Sequence, residues 1–277
     1  MIRMFRHFPA ILLTLILALP IAGSAGSADT VLISGKLSRI SANAIVVKPE
    51  SYSVSDKNFA VVYLLHGWSG NYRNWFDKTD LEDLADRYDI LIVCPDGGYA
   101  GWYIDSPLLE ESKYATYIGR DVVRFIDLHY HTDAHQISRA LCGLSMGGHG
   151  AFYLMVKYPD VFDMAGCMSG VMELIDPAKR YGLARLLGPY ETSRQRWVDY
   201  SCISMVDSLR DKDHHILIDC GVTDPFIDGN RKLHRLLIDA GIPHDYVERF
   251  GGHSWNYWIN ALEYHILFFK KSGLTTH

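Results

Sequence analysis

From residue 59 onward, short runs of apolar and β-branched residues alternate with longer stretches whose apolar residues recur every three or four positions. The runs fall at 59–65, 90–94, 137–142, 162–168, 215–220 and 246–250. The helix-period stretches cover 81–88, 117–128, 147–158, 231–240 and 255–269. Parallel neighbouring strands need long crossover connections, usually helical, so this alternation predicts an α/β chain with a mostly parallel central sheet covered by helices on both faces. The runs are almost continuously apolar, as strands buried on both faces require. Two earlier runs, 31–33 and 44–47, are expected to form an antiparallel edge. In such a sheet the functional residues belong at the carboxyl ends of the strands.

Several broad classes fall away on composition. With 48% hydrophobic and 21% charged residues the 277-residue chain can bury a large core. A net charge of −5 disfavours a broadly basic surface for nucleic acid. Arg3, Arg6 and His7 precede an apolar run over 11–19, then Pro20 and a string of small residues. That pattern is a secretory leader, assigned to 1–28. The run is shorter than the ~20 residues a bilayer span needs, which weighs against an uncleaved anchor and against stable membrane insertion after cleavage. Export to the periplasm or the cell exterior is the expectation. Loss of the two leader arginines takes lysine plus arginine from 27 to 25 against 32 acids, a balance of −7.

Residues 29–277 carry no repeat or linker and read as one domain. The segment 171–213 breaks the rhythm, either as an insertion over the site or as a long surface connection. Cys94, Cys142, Cys167 and Cys220 lie beside apolar runs and read as buried small hydrophobes; the odd total of five prevents complete pairing but leaves room for one disulfide.

The sharpest local signal is Gly143-Leu144-Ser145-Met146-Gly147, where an apolar strand enters G-x-S-x-G and leaves it as a helix. That context is what a nucleophile elbow needs: a strained turn that exposes the hydroxyl, with small residues on either side. A serine at its ordinary pKa is a poor nucleophile and requires a histidine to take its proton and a carboxylate to orient the ring. Downstream, Asp224 and His253 each follow a predicted strand, giving the order Ser, Asp, His. Asp219, inside its strand, and Asp228, a turn beyond, are the reserve acids. An oxyanion needs two backbone donors: the N–H of Met146, after the nucleophile, and that of Trp68 in His66-Gly67-Trp68-Ser69-Gly70. His66 precedes the serine and is expected to shape that loop. Tyr99, Trp102 and Tyr103 could wall the substrate site or simply pack. Trp255 and Tyr257 are expected in the core.

With these residues assembled, the chain resembles the esterase D family of α/β-hydrolases, in its tributyrin esterase-like branch. The resemblance is carried by 63–75, Pro95-Asp-Gly-Gly98, 102–107 and Gly143-Leu-Ser-Met-Gly-Gly148, and covers nearly all of 30–270. It implies the α/β-hydrolase fold and acyl-ester chemistry. Family relatives include S-formylglutathione hydrolases, feruloyl and acetylxylan esterases, and mycolyltransferases. Trp68 replaces a leucine frequent at that position in the family; its amide survives the change, while its bulk should narrow the acyl pocket.

The expectation is an exported serine carboxylesterase acting on short-chain acyl esters, needing no cofactor or metal. The rivals are a feruloyl or acetylxylan esterase working on plant polysaccharide, and a catalytically silent hydrolase-fold domain that binds carbohydrate or protein. The leader weighs against a cytosolic S-formylglutathione hydrolase. Partners beyond the ester substrate, including a second copy of the chain, are left open. The run His129-Tyr-His131-Thr-Asp133-Ala-His135 imitates a zinc-binding spacing but has one residue too many and follows a helix, so it reads as a polar helix end.

Overall fold

The computed structural model describes residues 26–175 and 181–275. Each expected apolar run becomes a strand: β1 (Ser27–Ser34), β2 (Ser41–Lys48), β3 (Val61–Leu65), β4 (Leu91–Pro95), β5 (Arg139–Leu144), β6 (Met164–Met168), β7 (His215–Gly221) and β8 (Asp245–Arg249). They form one sheet in the order β1-β2-β4-β3-β5-β6-β7-β8. β1 pairs antiparallel with β2, and β2 antiparallel with β4. From β4 through β8 every pairing is parallel. The leader assigned to 1–28 lies outside the described residues up to 25, and Ser27 and Ala28 are the first residues of β1.

Side-chain alternation distributes the core over two faces. In β3, Val61, Tyr63 and Leu65 face one apolar layer while Val62 and Leu64 face the other. The first layer is covered by α3 (Tyr114–Thr116), α4 (Val123–His129), α5 (Met146–Lys157) and α8 (Ile227–Asp239), and the second by α1 (Asn74–Lys78), α2 (Leu81–Tyr88) and α9 (Trp255–Lys271). A π-helical turn, Tyr117–Val122, joins α3 to α4. Its Asp121 accepts the backbone N–H groups of Lys36, Leu37 and Ser38, which pins the β1–β2 hairpin to this layer.

α2 shows how local sequence sets an element. Asp80 caps its first turn by accepting the Asp83 N–H, worth about 1 kcal/mol. Leu81, Leu84 and Ala85 form its buried stripe, and Asp89 closes it in the left-handed region at φ 53°.

Within the segment that lacked periodicity, α6 (Leu183–Leu187), α7 (Tyr190–Asp199) and a 3₁₀ stretch, Cys202–Leu209, pack near the amino end of α5. Trp102 Nε1 donates to the Tyr181 carbonyl, Ser106 Oγ to that of Leu186, and His149 Nε2 to that of Tyr200. Residues 176–180 of this segment lie outside the described part. All five cysteines are free and buried.

The chain leaves β3 toward β4 on one side, and leaves β5 toward β6 on the other, although β3 and β5 are neighbours. That reversal opens a crevice beyond their carboxyl ends, where ligands bind in open α/β sheets.

Candidate active site

Ser145 stands at the crevice, between β5 and α5, with φ 55° and ψ −115°. A non-glycine residue at positive φ is strained, so the turn must be held from outside. Ser145 N–H donates to the Met168 carbonyl at 2.9 Å, and the Ser145 carbonyl accepts the His149 N–H at 3.0 Å. The flanking glycines are steric requirements. A Cβ on Gly143 would lie 2.4 Å from the Gly147 carbonyl oxygen, and one on Gly147 would lie 2.5 Å from that of Leu65.

Asp224 and His253 arrive from the next two strand ends. Beyond β7 and β8 the pairing continues through loop backbone, with Val222 N–H donating to the Arg249 carbonyl and Thr223 N–H to that of Gly251. The two loops are thereby zipped together. His253 Nδ1 lies 2.9 Å from Asp224 Oδ2, and its Nε2 lies 2.9 Å from Ser145 Oγ. An ionised carboxylate only accepts, so Nδ1 carries the proton and Nε2 is free to accept from the serine hydroxyl. The second oxygen of Asp224 accepts the Phe226 N–H at 2.8 Å, and its side chain is fully buried. The imidazole is wedged edge-on between Phe226 and Trp258, at centroid distances of 5.1 and 4.8 Å.

The loop after β3 brings its backbone to the same crevice. His66 is buried with both ring nitrogens engaged: Gly97 N–H donates to Nε2, and Nδ1 donates to the Gly67 carbonyl, each at 2.8 Å. Burial lowers its pKa, so it stays a neutral brace for the loop. The N–H groups of Ser69 and Gly70 are consumed by the carbonyls of Tyr99 and Gly67. Among the described residues the N–H of Trp68 has no carbonyl acceptor. Met146, as the first residue of α5, likewise has an N–H without an intrahelical acceptor.

These residues border a cavity of about 620 Å³ that contains Ser145 and His253 in its lining. Trp68, Trp102, Val171, Tyr181, Phe226 and Trp258 give it largely apolar walls, and Ser69, Asn74 and Ser254 add polar groups. Of the three aromatics singled out in the sequence, Trp102 lines this cavity. Tyr103 is fully buried instead and donates its hydroxyl to the His66 carbonyl at 3.0 Å, bracing the loop from behind. Tyr99 stands outside the cavity, exposed and edge-on to Trp68 at 5.1 Å. Trp255 also lines the cavity, whereas Tyr257 is buried.

The reserve acids are placed elsewhere. Asp228 is exposed on α8 beside Arg231, and Asp219 is buried with Arg249 and Tyr257. The histidine-rich run lies toward the other end of the sheet, where Thr132 bridges Phe59 ahead of β3. His129 there donates to the Phe125 carbonyl in the last turn of α4, and His135 pairs with Asp133. Among the described residues no group of three or more His, Cys, Asp or Glu side chains is arranged to hold a metal ion.

The sequence reading missed Tyr181, Phe226 and Trp258. Phe226, two residues past Asp224, and Trp258, five past His253, were within reach as neighbours of predicted site residues. Tyr181 was not, because its segment shows no period from which a facing could be read.

Comparison with known proteins adds to this geometry. The Esterase family model matches residues 39–269. An acetyl esterase of Caldicellulosiruptor saccharolyticus is 27% identical over 235 residues, 76% of this chain and 85% of its own. An esterase of Mycobacterium tuberculosis is 29% identical over 240 residues, and the chain spans about half (51%) of that protein's length. Among solved structures, a ferulic acid esterase superposes with a TM-score of 0.77 at 26% identity, covering 90% of this chain and 100% of its own. An S-formylglutathione hydrolase from Agrobacterium tumefaciens gives the same TM-score at 20% identity, over 90% of this chain and 96% of its own, a likeness of fold.

Proposed function

The chain belongs to the esterase family, and from that premise we propose that it is an exported serine carboxylesterase working through an acyl-enzyme. The observation that carries the reading is the relay from Asp224 through His253 to Ser145, with both contacts at 2.9 Å and the serine at the cavity wall.

In this mechanism His253 Nε2 takes the hydroxyl proton as Ser145 Oγ attacks the ester carbonyl carbon. The C–O double bond opens to an oxyanion, which the N–H groups of Met146 and Trp68 receive. Asp224 holds the imidazolium and fixes its tautomer. When the tetrahedral intermediate collapses, the bond to the alcohol oxygen breaks and His253 delivers the proton to that oxygen. Water then enters, gives a proton to His253 and attacks the acyl carbon; as the second tetrahedral intermediate collapses, the bond from that carbon to Ser145 Oγ breaks and His253 returns the proton to Oγ, releasing the acid. Every proton and electron pair is accounted for without a cofactor.

Short acyl chains are the proposed substrates, a reading supported by the bulky rings of Trp68, Trp102 and Tyr181 at the cavity wall. The same walls favour one second reading, an aromatic acyl group stacked on those rings, in keeping with the likeness to a ferulic acid esterase. Initial rates on nitrophenyl acetate, butyrate and octanoate, set beside methyl ferulate and acetylated xylan, separate the two. A kcat/KM ordered acetate or butyrate over octanoate, with little ferulate release, supports the first; ferulate dominance supports the second. Absence of hydrolysis on every ester would leave only a silent binding domain. Export rests on the leader at 1–28 and is tested by fractionating cells for mature protein. Among the described residues no helix is long and apolar enough to cross a membrane.

A further inference from the structure

One buried carboxylate outside the relay sits where it can control it. Asp219, on β7, has no exposed side-chain surface, and it meets three polar partners that come from two other elements. Tyr257 Oη donates to its Oδ1, the Arg249 guanidinium pairs with Oδ2, and His265 Nε2 lies 3.6 Å from Oδ2. Burial, together with the Arg249 charge, lowers the His265 pKa to about 3, so the histidine stays neutral and Arg249 is the cation that balances Asp219.

The positions of Arg249 and Tyr257 give this cluster its meaning. Arg249 is the last residue of β8 and Tyr257 lies in the first turn of α9. Between them lies the loop that carries His253. Gly251 in that loop has φ 136°, and a Cβ there would meet the Tyr257 ring at 2.7 Å, so the loop is folded directly onto the ring. The backbone of Asp219 reaches the nucleophile side as well. Its carbonyl accepts the Ser169 N–H at 2.7 Å, and the preceding residue, Met168, accepts the Ser145 N–H.

We propose that Asp219 is a positioning residue for ester hydrolysis: its carboxylate, through Arg249 and Tyr257, fixes both stems of the His253 loop relative to Ser145. The inference rests on the reading of His253 as the general base. A buried ion pair is a poor device for stability alone, since apolar residues of similar volume commonly do as well or better. A directional clamp gives what apolar packing does not, a fixed angle and distance for the loop that follows. Displacement of a reacting group by about 1 Å can cost as much as a hundredfold in rate.

The test replaces the cluster with an apolar one, Asp219→Leu/Arg249→Met/Tyr257→Phe, which leaves no lone charge buried. The full chain is assayed for kcat and KM on nitrophenyl butyrate, beside a conservative Tyr257→Phe and a Ser145→Ala control. The triple variant is expected to fold with a thermal midpoint near that of the wild type, yet lose about tenfold or more in kcat with KM within about twofold. Tyr257→Phe should lose about threefold in kcat at unchanged KM, and it decides the matter if the triple variant does not fold. Wild-type kcat in either folded variant would overturn the proposal. Residual wild-type turnover in Ser145→Ala would instead overturn the reading of the relay itself.

Discussion

Asp219 on β7 and Asp224, five residues on in the loop beyond it, are both buried and do different work. Asp224 touches the ring of His253, which lines the cavity; Asp219 touches the stems of the loop that carries it. One carboxylate orients a reacting group and the other locates the backbone beneath it. Burial and charge are common to both, so neither property identifies the acid of the relay. What separates them is direction: Asp224 has left the strand and turns toward His253, while Asp219 is held in the β6–β7–β8 register opposite Met168 and Val247.

This contrast can be broken at graded levels. The largest effect belongs to the nucleophile shared by both accounts: Ser145→Ala should remove nearly all turnover, on the order of 10⁶-fold in kcat, while circular dichroism and the thermal midpoint stay close to wild type. Asp224→Asn comes next, with a fall of about 10⁴-fold as the histidine loses its tautomer and orientation. A smaller loss in Asp224→Asn than in the folded apolar variant of the Asp219 cluster would invert the two roles. Trp68→Leu sharpens the contrast from the side of shape, since it keeps the backbone donor and removes bulk. Turnover of the acetyl ester should change by a few-fold, while kcat/KM for octanoate relative to acetate should rise about tenfold, read from initial rates on the two esters.

The smallest effect on rate accompanies a pH dependence of stability. Burial lowers the His149 pKa from 6.5 to about 4 and that of His265 to about 3. Each ring stays neutral in the folded chain while the unfolded chain takes up protons below about 6.5. Stability is therefore full above 6.5 and declines as pH falls toward 4. The thermal midpoint should drop between pH 7 and pH 4.5, and less steeply in His149→Gln. A flat midpoint over that interval would contradict the assignment.

The elbow was legible in the sequence because its parts are covalent neighbours: Gly143, Ser145 and Gly147 act on one another within a single turn. The strands β3 to β7 were legible because burial on both faces leaves a nearly continuous apolar run, and the antiparallel edge followed from the weaker first two runs; β8, the other edge, has no buried residue, contrary to the two-sided burial expected of it. Tyr103 and Trp102 show where this ends, since adjacent aromatics go to different places, one behind the His66 loop and the other to the cavity. The Asp219 cluster was hidden for a related reason. Its partners come from β8 and α9, and only the register of the sheet brings them to the same carboxylate. The short helices α6 and α7 and the side chain of Tyr181 belong to a segment whose polar and aromatic residues follow no single period.

The most direct test of the account is mass-spectrometric mapping of a fluorophosphonate adduct against remaining activity. One adduct per chain on Ser145, rising in step with the loss of ester hydrolysis and nearly absent in His253→Ala, is the predicted result. Full inactivation with the adduct on another residue, or full activity with Ser145 completely labelled, would contradict it.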